Sequence, residues 1–152
     1  MLDLLFPQNI DNRFPGQKAA LWLLGLMALM RTMMGVSVMF NTHMTAITAD
    51  GIPLDSYPVS AADNIVAMFA LLGLTYFMTA LVCWLVLVRY RAAVPLMFTV
   101  LLLQFLAGLL LRVFHPFVRV GSPPAAYVNL TLLTILMVGW GLSLWRRQPV
   151  GS

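Results

Sequence analysis

The chain has 152 residues, 61% hydrophobic and 9% charged, with nine Lys or Arg, five acidic residues, one Cys and a net charge of +4. Such a composition excludes a soluble globular domain. The positive balance lacks any basic stripe interleaved with aromatics outside the apolar runs, which excludes a nucleic-acid interface and leaves membrane orientation and headgroup contact as its use.

Residues 1–17 carry Asp3, Pro7, Asp11 and Pro15 where a cleavable signal needs an unbroken apolar core, so the N-terminus is expected to stay. Leu2, Leu4, Leu5, Phe6, Ile10 and Phe14 lie among polar residues there. They suit either a segment along the membrane surface or an irregular tail. The first long apolar run, 18–41, can cross about 30 Å of hydrocarbon if Arg31 is tolerated. An outer loop, 42–60, follows, and its Asp50-Gly51 and the prolines at 53 and 58 make it turn-rich. His43, Asp50 and Asp55 match no metal-ligand spacing, so no metal is expected.

The second run, 61–88, opens on Ser60-Ala-Ala-Asp63. That pattern predicts a capping box in which the Ser60 hydroxyl and the Asp63 carboxylate serve free amides of the first turn. The third, 92–115, has Pro95 in its first turn, where a missing amide costs nothing. The fourth, 124–145, begins after Pro123 and Pro124. None of the runs shows the two-residue alternation of a barrel strand, and only helices and closed barrels satisfy their backbone in lipid. The expected fold is therefore all-α: an antiparallel bundle of four transmembrane helices forming one domain. Cys83, alone in the second helix, excludes an intrachain disulfide.

Arg13, Lys18, Arg89, Arg91, Arg146 and Arg147 all fall on one side of this arrangement, while the other side carries the outer loop, free of Lys and Arg, and Arg119. By the positive-inside rule both termini are cytoplasmic. Trp22, Trp84, Trp140 and Trp145 lie toward the same ends of their helices, as an interface belt would. The eleven methionines read as flexible core filler.

Arg31 poses the chemical question. Thirteen residues past Lys18, it sits roughly 20 Å into the membrane, too deep to snorkel to either face. Similar counting brings Thr75, Tyr76, Gln104 and Thr134 near its level, with Ala28 and Gly35 beside Arg31 on one side of the first helix. The expectation is a polar layer in which Gln104 offers its carbonyl to Arg31 and the Tyr76 hydroxyl and threonines complete the shell. All five acids are Asp, and none falls at that depth; Asp63 lies roughly 10 Å nearer the outside. The countercharge then comes from a water-filled cavity, an anionic or carbonyl ligand, or an acid on a partner, unless the bundle itself satisfies Arg31. Arg112 and His115 lie on the outer side of Gln104, along the path a ligand would take.

No nucleophile with a base, Gly-rich phosphate loop, paired haem-depth His or carboxylate pair occurs, so enzymatic activity and a cofactor are not expected. The stretches ADGIPLD (49–55), FALLGL (69–74) and RYRAAVPLMF (89–98) resemble a group of small bacterial four-helix membrane proteins. That resemblance implies a bacterial inner (plasma) membrane and assigns no activity. Two functions stand ahead of a third, a membrane enzyme acting through Asp50, Asp55 or His115. In the first, the chain is a non-enzymatic accessory subunit or homo-oligomeric component of a membrane complex, surrounded by membrane lipids, with Gly139, Gly141 and Ser143 forming part of an interface. In the second, Arg31, Tyr76 and Gln104 hold a lipid, an amphipathic anion or a quinone-like carbonyl, reached past Arg112 and His115.

Overall fold

A computed structural model describes residues 11–14, 16–116, 120 and 125–145, and among these it is all-helical. Four helices are long and apolar enough to cross a membrane: α1 (Lys18–Phe40), α3 (Val59–Arg89), α4 (Val94–Phe114) and α5 (Ala125–Leu144). A short α2 (Thr42–Thr48) and 3-10 turns at Leu54–Ser56 and Arg91–Ala93 complete the elements. Leu2, Leu4, Leu5, Phe6 and Ile10 of the N-terminal segment, together with Arg119, Pro123, Pro124, Arg146 and Arg147, lie outside the described residues.

Local chemistry sets the helix ends. α3 starts at Val59, with Pro58 as its N-cap at φ −55° and the Pro58 carbonyl accepting the Ala61 and Ala62 N–H at 2.9 and 3.0 Å. The expected capping box is absent: no side chain caps α3, and Ser60 and Asp63 lie inside the helix. Proline at 58 fixes a helix-compatible φ and starts the helix before Ser60, leaving the hydroxyl too late to cap. At the other end Arg91 Nε donates to the Leu87 carbonyl at 3.0 Å, a cation closing a helix C-terminus. α4 carries Pro95 in its first turn and ends at Phe114, just before His115-Pro116.

The tightest contact joins α1 and α3, which run antiparallel. A Cβ on Gly35 would stand 2.7 Å from the Phe77 nitrogen, and one on Gly73 would stand 2.7 Å from the Met39 nitrogen. With Ala28 and Ala80 also buried, small residues bring the two backbones into direct contact. α5 then packs on α1 and α4. The fully buried Phe98 ring fills the space above Gly139, and Trp140 Nε1 donates to Thr99 Oγ1 at 3.0 Å.

The core lies toward one end, here called the termini end. It joins Leu24 and Met27 of α1, Cys83 and Val86 of α3, Val94, Phe98 and Leu101 of α4, and Leu136 of α5. Residues before α1 close this end from beneath. The Asp11 carbonyl accepts the Ala92 N–H at 3.1 Å, Phe14 packs half-buried on the core, and the Gln17 N–H donates to the Leu142 carbonyl at 3.2 Å. Among the described residues the opposite, loop end is packed less closely: no residue of α4 beyond Leu102 is buried, and none of them lies within 4 Å of a Cβ placed on Gly108. α3 and α4, neighbours in sequence, touch little beyond their connection. Over this end, Gly51 at φ 69° makes the turn expected of Asp50-Gly51, and its carbonyl accepts the Val120 N–H at 2.9 Å.

Candidate functional site

Arg31 continues the inward stripe of α1 that begins with Leu24, Met27 and Ala28, and only 7% of it is exposed. Its guanidinium carbon lies 5.4 Å from the centre of the Tyr76 ring. Nη1 is buried and has no hydrogen-bond partner. A cation over an aromatic face gains about 0.5–2 kcal/mol, whereas an arginine at mid-membrane costs about 2.5–3.5 kcal/mol even on the mildest scale. The ring therefore does not by itself balance the charge.

The shell expected around Arg31 forms only in part. No hydrogen bond joins Gln104 to it. Thr75 Oγ1 donates to the Leu71 carbonyl at 3.1 Å and Thr134 Oγ1 to the Leu130 carbonyl at 3.0 Å, each turned back onto its own helix. Tyr76 meets Arg31 through its ring face. The register explains Gln104. Counting rises from the Gln17–Leu142 and Thr99–Trp140 contacts sets Gln104 roughly 10 Å nearer the termini end than the Arg31 backbone, Gly108 roughly 4 Å nearer that end, and Arg112 roughly 2 Å beyond Arg31. The first residues of α1 and α4 do not start at one level, and equal counting from both placed Gln104 too high.

Arg112 is half-buried on α4 and lies within electrostatic reach of Tyr76. His115 lies just past the end of α4 and is exposed. Asp63 is exposed and thirteen residues up α3 from Tyr76, about 20 Å away along the axis. It is no partner for Arg31.

Two polar groups near the layer are not among those expected. Asp50 comes within electrostatic reach of Tyr76, because α2 packs back against α1 and α3 and carries the loop with it. Depth counting alone leaves that acid well outside. Asn129 is half-buried on α5, three and seven residues before the buried Leu132 and Leu136. That spacing puts it on the inward stripe, level with Gly108; a lone amide in heptad register with buried leucines was the signal available for it.

Gly139 and Ser143 face inward, one beneath Phe98 and the other with its carbonyl against Gly16. Of the three small residues expected to form an interface with another chain, Gly141 alone is open. The indole N–H groups of Trp84 and Trp140 are likewise used internally, on Thr32 and Thr99, while Trp22 and Trp145 are exposed. Among the described residues no group of three His, Cys, Asp or Glu could hold a metal ion. Comparison with known proteins gave no match among family models, curated sequences or solved structures.

Proposed function

We propose that the chain is a non-enzymatic integral membrane protein that holds a small molecule in its polar layer, the occupant supplying the countercharge of Arg31. The observation that carries this reading is the Arg31 guanidinium itself, buried among the protein's own helices with Nη1 unpartnered. A buried donor left unsatisfied costs about 1–3 kcal/mol, and more when charged. Retaining such a group without a ligand gains nothing for the fold.

An acid on a neighbouring subunit fits this geometry less well. It cannot come between α1 and α3, whose backbones touch at Gly35 and Gly73. Among the described residues no such barrier stands at the loop end. The basic residues Arg13, Lys18, Arg89 and Arg91 support placing the termini end in the cytoplasm, so the loop end faces outward, in keeping with a bacterial inner membrane.

Arg31→Met tests the reading, since it removes the charge and keeps much of the volume. Thermal unfolding of the ligand-free protein in detergent should show an unchanged or raised midpoint, while native mass spectrometry of gently extracted protein should lose a bound species present in the parent. A midpoint lowered by several degrees, with no bound species in either protein, would make Arg31 a structural residue and end the proposal.

A further inference from the structure

We infer that the termini end of the bundle carries a docking site for one anionic glycerophospholipid, its phosphate held between Arg13 and Arg91 and an acyl chain lying along α3. The site is separate from the polar layer and does not depend on what occupies Arg31.

A run of short contacts builds the site. The Asp11 carbonyl accepts the Ala92 N–H at 3.1 Å, which fixes the segment before α1 against the turn Arg91–Ala93. Asp11 Oδ1 accepts the Arg13 N–H at 2.9 Å, and Oδ2 lies 3.9 Å from Arg13 Nε. Two cations far apart in sequence are thereby set on either side of one backbone contact. Arg91 is steadied by the bond from Nε to the Leu87 carbonyl, which leaves both of its Nη groups without a partner among the described residues. Asp11 is the single acid among the described residues of this end, against Arg13, Lys18, Arg89 and Arg91. Its ion pair with Arg13 is long, with the two side chains 51% and 95% exposed, and such a pair is weak enough to yield to a phosphate. Guanidinium forks match the paired oxygens of a phosphate, and basic clusters beside membrane helices attract acidic headgroups. A choline or ethanolamine head would set its own cation against the same arginines, so the occupant is net negative.

Depth and surface agree with a lipid. A Cβ on Gly25 would stand 3.4 Å from Leu87, so Trp22, three residues earlier on α1, is level with Tyr90 at the end of α3. Trp22 is 81% exposed, and an exposed indole marks the boundary where headgroups begin. Arg89 and Arg91 therefore lie at headgroup depth. Just above them, Val82, Leu85 and Arg89 follow one another by three and four residues on one face of α3, and all three are exposed. An acyl chain laid along Val82 and Leu85 brings its phosphate to the arginines.

The experiment titrates the full chain in detergent with dioleoyl phosphatidylglycerol or dioleoyl phosphatidylcholine and reads the first bound lipid by native mass spectrometry. Phosphatidylglycerol should bind in preference to phosphatidylcholine, and glycerol phosphate, the head without its chains, should not displace it. Arg13→Gln and Arg91→Gln should each weaken the first bound lipid roughly fivefold, the loss expected for one cation at a membrane surface. Arg91→Lys keeps the charge and loses the planar fork, so it should weaken binding nearly as much. Lys18→Gln removes a charge from the same end outside the site and should change little. The replaced side chains are exposed, so each variant should fold. Equal retention of the two lipids, parental binding by Arg91→Lys, or a loss in Lys18→Gln as large as in Arg91→Gln would overturn the site and leave only diffuse attraction to an acidic leaflet. Displacement by glycerol phosphate would overturn it too, because the track along α3 would then contribute nothing.

Discussion

The two ends of the bundle are made from similar apolar sequence and packed in opposite ways. At the termini end, Leu24, Phe98, Leu101 and Leu136 are fully buried, and Asp11, Phe14 and Gln17 close the helices from beneath. At the loop end, α4 buries nothing beyond Leu102 and its inward stripe turns polar and glycine-bearing. Hydrophobicity does not separate the two, because lipid is as apolar as leucine and gives no drive to bury it. What separates them is the fit of side chains: a ring over Gly139 at one end, open space beside a half-buried Gly108 at the other.

The largest effect should come from the contact that holds α1 to α3. Gly73→Leu sets a branched side chain against the Met39 backbone nitrogen, and backbone cannot yield as a flexible side chain can. We expect a loss of more than about 4 kcal/mol, read as collapse of the monodisperse peak in fluorescence-detected gel filtration. Retention of that peak would show that the close approach of the two helices is dispensable. Phe98→Ala should come next, at about 3–5 kcal/mol in denaturant titration, because a fully buried ring leaves a cavity behind. Smallest of all should be Leu110→Ala, on the open flank of α4 and 58% exposed, within about 0.5 kcal/mol. Were Leu110→Ala to cost as much as Phe98→Ala, the loop end would be covered by another chain, and the contrast between the ends would vanish.

Much of this arrangement was legible in the sequence, and the misses share a cause. Charge-free runs of membrane length mark the four long helices, since lipid admits few other structures. Arg31 declares itself by its depth. The neighbours of Arg31 were harder, because depth counting assumes that helices start level and that loops point away. α4 starts lower than α1, which demotes Gln104 and promotes Gly108 and Arg112; α2 folds the loop back, which brings Asp50 toward Tyr76. Gly139 and Ser143 look like an outward patch only until Phe98 and Gly16 are seen to occupy them. Pattern fixes which residues share a stripe, and only packing decides which stripe meets which.

Arg31 and the ring that faces it are separated by forty-five residues of chain, and this has a consequence for biogenesis. α1 is made before Tyr76, so an α1 inserted alone would carry its arginine into the membrane with nothing to receive it. Delivery of α1 and α3 together, as a helical hairpin already joined at Gly35 and Gly73, removes that difficulty. α5, made after both, then completes the seal at Gln17.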